Sequence, residues 1–159
     1  MGDSGLGVGL SQVIEAEEAV GKILGGPRGG EASRPTEDGA IALAQERGDN
    51  LVFLYVADVS FLNHTAAPLV VDVESRLIKM GRFQLTMAQE RAAARDVTAE
   101  VVVRKGELRA ELIATARELE ADLIVLGHPT GRQAVFDEAA LEAFARELRD
   151  QTSAEVRIL

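Results

Sequence analysis

The chain of 159 residues has no cysteine and no tryptophan, two histidines, four prolines and only 4% aromatic residues. Without cysteine there is no disulfide scaffold, thiolate zinc site, iron–sulfur cluster or cysteine nucleophile, and a reducing compartment is compatible with the sequence. Two histidines leave little room for metal or proton-transfer chemistry. Cations are outnumbered by acids, 17 − 26 = −9, which weighs against non-specific binding to a nucleic-acid duplex or an anionic membrane, since both depend on attraction to phosphate. RNA recognition also lacks a basic helix or an aromatic stacking surface. No apolar run approaches the roughly 20 residues that cross a bilayer. The opening Met-Gly-Asp-Ser-Gly-Leu-Gly-Val-Gly-Leu lacks the basic start and apolar centre of a secretory signal. The expected location is the cytoplasm, with neither nucleic acid nor membrane as partner.

What is present is one ordinary domain: 47% hydrophobic and 27% charged residues in a length that hides roughly two thirds of the unfolded surface. Residues 1–21 read as a flexible or short helical extension, glycine-rich at first and then helical after Ser11 as N-cap. Gly5, Gly7 and Gly9 do not make a dinucleotide fingerprint, because no strand precedes them. From residue 22 to 159 short apolar runs alternate with longer amphipathic segments, the pattern of a parallel sheet with crossover helices. Strands are expected at Lys22–Gly25, Leu51–Val56, Thr98–Arg104, Leu123–Leu126 and Ala154–Leu159. Helices are expected from Pro35 to Arg47, closed by Gly48, and from about Leu69 to Arg95, with Val73, Leu77, Met80, Met87 and Ala94 inward and Gly81 as the weak point. A third helix carries Leu108, Leu112, Ala116 and Leu119 on one face. A fourth, capped by Asp137, carries Leu141, Phe144, Ala145 and Leu148. The order β-α-β-α-β-α-β-α-β implies a single doubly wound α/β domain with helices on both faces of a five-stranded parallel sheet.

The block Gly106 to Gly127, a Gly-Glu turn, an Ala- and Glu-rich helix and then Ala-Asp-Leu-Ile-Val-Leu-Gly, resembles the universal stress protein family. So do Leu51 to Asp58 and the closing strand. The resemblance implies the strand order 3-2-1-4-5 and a homodimer through the last strand, with Val156 and Ile158 at the interface. It also implies a test for nucleotide. The family's ATP binders carry an aspartate after strand one and Gly-x2-Gly-x9-Gly-Ser/Thr after strand four. Here Gly26, Pro27 and Arg28 stand at the strand-one exit. Thr130 stands where the second glycine belongs, Gly131 comes one residue late, and the third glycine falls on Ala140 or Leu141. Glycine is needed there because it lets backbone N–H groups turn inward and phosphate approach closely. Val56 alone matches, at the adenine side. ATP binding in the usual way is therefore not expected, and neither is a resident cofactor.

Ligands of open α/β sheets bind outside the carboxyl ends of the strands where strand order reverses. The segments leaving strands one, three and four carry Arg28, Arg104, Lys105, His128 and Arg132, a basic cluster in an acidic chain. Of these, Arg28, His128 and Arg132 with Gly26, Val56, Gly127 and Gly131 make a candidate site for a small anion such as a phosphate or carboxylate metabolite. His64 and His128 have no partners at metal-ligand spacing, so no metal is expected. Asp58 is assigned a capping or turn role. Ser60, Thr65 and Ser153 lack the context of a hydrolase nucleophile. The leading expectation is a non-enzymatic homodimer that acts through an unknown protein partner or a small anion. A diverged AMP or ATP binder is the alternative, and a small metabolic enzyme the third.

Overall fold

The structure, a computed structural model, describes residues 20–26, 34–59, 67–127 and 138–159. Five strands, β1 (Lys22–Gly25), β2 (Asn50–Ala57), β3 (Ala99–Lys105), β4 (Leu123–Leu126) and β5 (Glu155–Ile158), alternate with four helices. These are α1 (Arg34–Arg47), α2 (Ala67–Ala93), α3 (Leu108–Leu119) and α4 (Glu138–Gln151). All neighbouring strands are parallel and run in the order β3-β2-β1-β4-β5, as the resemblance implies. The extension before residue 20, its Ser11 cap and the Asp137 cap lie outside the described residues.

The two faces of the sheet are read off alternate residues. Ile23, Leu51, Phe53, Tyr55, Leu123 and Val125 pack under α1 and α2. Leu24, Val52, Leu54, Ile124, Leu126 and Val156 pack under α3 and α4. Strands covered on both sides have no polar face, which is why β2 and β4 are continuously apolar in sequence. At the start of β1, Gly21 N donates to Asp49 Oδ1 at 3.1 Å and Lys22 N to Asp122 Oδ2 at 2.8 Å. Two carboxylates thus hold the entry of this central strand. Gly48, at φ +70°, closes α1 in the left-handed conformation that glycine adopts without strain.

The long helix α2 departs from its expected inward face. Gly81, Leu85, Ala88 and Ala92 are the buried positions, with Leu77 and Ile78 partly buried against them. Met80 and Met87 are half exposed, at 49% and 48%, and Ala94 lies in the turn beyond the helix end. The helix carries two apolar stripes, and the bulkier one is not the one that meets the sheet. Small residues let the helix axis approach the strands closely, so packing selected the glycine and alanine stripe.

Candidate functional site

The strand order reverses between β1 and β4, the switch point at which an open α/β sheet has its crevice. Gly25 and Gly26 leave β1 and Gly127 leaves β4. Gly26 N donates to Val125 O at 3.3 Å, which ties the two exits together. The first turn of α1 roofs this gap. Pro35 sits at its second residue, where a missing N–H costs nothing because the first turn has no partner for it. Thr36 follows. It is only 9% exposed, and its Oγ1 lies 2.5 Å from where a Cβ on Gly127 would stand. Gly127 is therefore required for packing. Among the described residues the Thr36 hydroxyl has no hydrogen-bond partner. Glycine backbone, the hydroxyl of the buried Thr36 and the positive end of a helix thus meet at the switch point.

Several described charged groups at this end of the sheet are already engaged. Glu37, 5% exposed, receives Arg91 Nη2 at 2.5 Å, and Asp38 receives Arg91 Nε at 3.1 Å. Burial pushes the Glu37 carboxyl above the usual range, and Arg91 only partly offsets it. Asp58 Oδ2 accepts the Leu108 N–H at 3.0 Å. It caps α3 in place of Glu107, the N-cap residue, whose own side chain makes no capping bond. Arg104 turns to α3, bonding Glu111 at 3.0 Å, Thr115 at 3.0 Å and Glu118 at 2.7 Å. Lys105 lies 3.6 Å from Glu74 of α2. The two described cations of the expected basic cluster are thus balanced within the fold. Arg104, counted in the basic cluster, takes a structural role: a strand-edge guanidinium beside a helix with acids two turns apart pairs with both.

Of the expected site residues, Gly26 and Gly127 come together at the crevice. Val56 stands at the end of β2, half-buried against the α3 face and in register with Arg104. Arg28, His128, Gly131 and Arg132, as well as His64, Ser60, Thr65 and Thr130, lie outside the described residues. Val156 and Ile158 belong to β5, at the edge of the sheet. Thr36, Glu37 and Arg91 were not legible as site residues. Pro35 marks a helix start and so could have pointed to Thr36, but nothing in sequence joins Glu37 to a residue 54 positions away. No group of three His, Cys, Asp or Glu that could hold a metal occurs among the described residues. None of their helices is long and apolar enough to cross a membrane. A groove of about 590 Å³ lies near the other end of the sheet, between the ends of α3 and α4. Its Arg117 is bonded to Gln151.

A five-stranded parallel sheet in the order β3-β2-β1-β4-β5 with helices on both faces defines the doubly wound α/β class of protein. Within that class, the model of the universal stress protein family matches residues 20–135, and the chain belongs to that family. No curated protein matches it. Solved structures share the fold. The universal stress protein UspA from Lactobacillus plantarum is 21% identical, with 87% of this chain and 97% of that one covered at a TM-score of 0.71. A universal stress protein family member from Burkholderia pseudomallei is 24% identical, with 87% and 94% covered at 0.65. A universal stress protein in complex with cAMP is 22% identical, with 89% and 97% covered at 0.63.

Proposed function

We propose that the chain acts by occupancy and docking, not by turnover. It is a cytoplasmic homodimer joined at the last strand, whose crevice takes a small anion, a phosphate or carboxylate metabolite, and whose state is read by a protein partner. The observation that carries this reading is the switch point, where the Thr36 hydroxyl, without a partner among the described residues, and the first turn of α1 meet the glycine exits of β1 and β4. An anion is the ligand such donors suit. The engagement of Asp58 as a cap and of Glu37 by Arg91 supports a non-enzymatic role, because a general base has to be available to its substrate. Titration calorimetry with inorganic phosphate tests the site. In Thr36→Val the anion affinity should fall about tenfold, the worth of one hydrogen bond to a charged group. Equal affinity in the two proteins would remove Thr36 from the site.

Adenine-nucleotide binding is the second reading, favoured by the related fold solved with cAMP. It is separated by titrating AMP and ATP with Mg²⁺, alongside native mass spectrometry of the protein as purified. Submillimolar affinity or retained nucleotide would place this reading first.

The dimer has its own test. Glu155 N and Leu159 N donate to Asp122 O and Leu126 O of the neighbouring chain segment. By the two-residue alternation of a strand, the N–H and C=O groups of Val156 and Ile158 therefore face the open edge. Arg149 Nη2 covers one of these acceptors, Val156 O, at 3.1 Å, so pairing displaces a single side chain. Val156→Pro deletes an edge donor and no ladder bond within the chain, a position where proline is tolerated. The expected result is loss of the last-strand dimer with the fold retained. An unchanged assembly would exclude this strand as the interface.

A further inference from the structure

The outer stripe of α2 packs against no other element among the described residues. Leu69, Met80, Phe83 and Met87 are 52%, 49%, 67% and 48% exposed. They recur at seven-residue spacing with Val73, Arg76 and Glu90: 73, 80 and 87 on one line, 69, 76, 83 and 90 on the next. This is the a/d spacing of a helix that packs on another helix, carried by a helix that already buries a different face on the sheet. An isolated exposed apolar residue is ordinary, but a seam of three heptads is not.

The charges in the seam decide the occupant and its direction. Arg76 and Glu90 stand seven residues before and seven after Phe83. Arg76 is 79% exposed, with only a surface contact to Asp72 at 3.3 Å, and Glu90 makes no ion pair among the described residues. In a parallel pair of α2 helices, arginine would meet arginine and glutamate would meet glutamate. In an antiparallel pair centred on Phe83, each Arg76 meets the other copy's Glu90, and the two phenylalanine rings meet on the axis. A patch that is complementary to itself under a two-fold rotation is what a homodimer interface needs.

We propose that α2 is a second self-association surface, on which two copies of this chain pair antiparallel about Phe83. It is independent of the last-strand contact, because α2 covers β2 and β3 while β5 is the opposite edge of the sheet. The seam from Leu69 to Glu90 is about 32 Å long at 1.5 Å per residue, near the short end of stable helix pairs, so the association is weak and concentration-dependent. With both surfaces in use, each copy has two different partners, and the assembly closes as a tetramer or extends as a chain.

The test is sedimentation of full-length Val156→Pro protein over a wide concentration range, with circular dichroism to verify the fold. Its mass should rise from 17.0 kDa towards twice that value. Phe83→Asp in the same background should hold it at the monomer mass. Arg76→Glu and Glu90→Arg should each weaken pairing about tenfold, and the two together should restore it. A monomer at every concentration, a dimer unaffected by Phe83→Asp, or a double variant no tighter than the single ones would overturn the proposal. The last outcome would mean that the stripe serves a different protein.

Discussion

Gly81→Ala is expected to destabilise the protein by about 3 kcal/mol, towards the upper end for overpacking a core, and to lower the melting temperature by about 10 °C in a domain of this size. The sign is opposite to local preference. Alanine in a helix interior is favoured over glycine by about 1 kcal/mol, so on the basis of α2 alone the substitution should stabilise. Gly81, however, is buried against the ring of Tyr55. A Cβ there would overlap Cδ1 and stand 2.5 and 2.6 Å from Cγ and Cε1. The ring is held in turn between strand and helix and is only 7% exposed, so neither partner can yield cheaply. Thermal melts of Gly81→Ala, Tyr55→Leu and the double variant check this. The two changes should be strongly non-additive, because the smaller side chain makes room for the methyl. A Gly81→Ala variant as stable as its parent would show that the ring can slide.

Arg91→Ala should cost a similar amount at neutral pH, about 3 kcal/mol, the lower part of the range for breaking a buried pair, since Arg91 keeps a quarter of its side chain in water. The loss comes chiefly from what remains: Glu37 stays in the first turn of α1, 6% exposed at its side chain, with no counter-ion. The pH dependence follows from the direction of its shift. Glu37 is already raised above its ordinary value by burial, so it favours the folded state below its unfolded pKa. That contribution is lost as pH rises through the folded pKa. Removing Arg91 raises the folded pKa further and widens this window upwards. The defect of Arg91→Ala should therefore shrink as pH is lowered into the range where Glu37 takes a proton, and adding Glu37→Gln should recover much of the stability at neutral pH. Denaturant melts at several pH values read both effects. A pH-independent defect would assign the loss to the packing of the arginine stem instead.

The two variants share a feature with the site. Arg91 ties α1 to α2, and α1 carries Thr36 over the crevice. Weakening that tie should loosen the anion site along with the fold, whereas Gly81 acts through Tyr55 of β2.

Much of the architecture was legible because it is periodic. The unbroken apolar runs at 51–56 and 123–126 could only be strands covered on both faces, and the spacing 108, 112, 116, 119 could only be helical. Asp58 was legible as a cap because an acid following a strand has few other local uses. Periodicity failed on α2, where two stripes compete and the larger side chains suggested the wrong one. Placement at a strand end misled in turn at Arg104. Counted as part of a basic cluster, that residue is consumed by Glu111 and Glu118 of the neighbouring helix.

By itself the sequence determined the alternation of strands and helices, the absence of cysteine chemistry, and the missing glycines and aspartate of the usual ATP loop. These are properties of residue type and spacing, and they are written locally. Only the tertiary structure decided which stripe of α2 meets the sheet, that Gly81 is a seat for Tyr55, that Glu37 is buried against Arg91, and that Thr36 presents its hydroxyl beside Gly127. Each of those depends on how closely two distant backbones approach. That distance is set by packing both faces of the sheet at once, and no single segment encodes it.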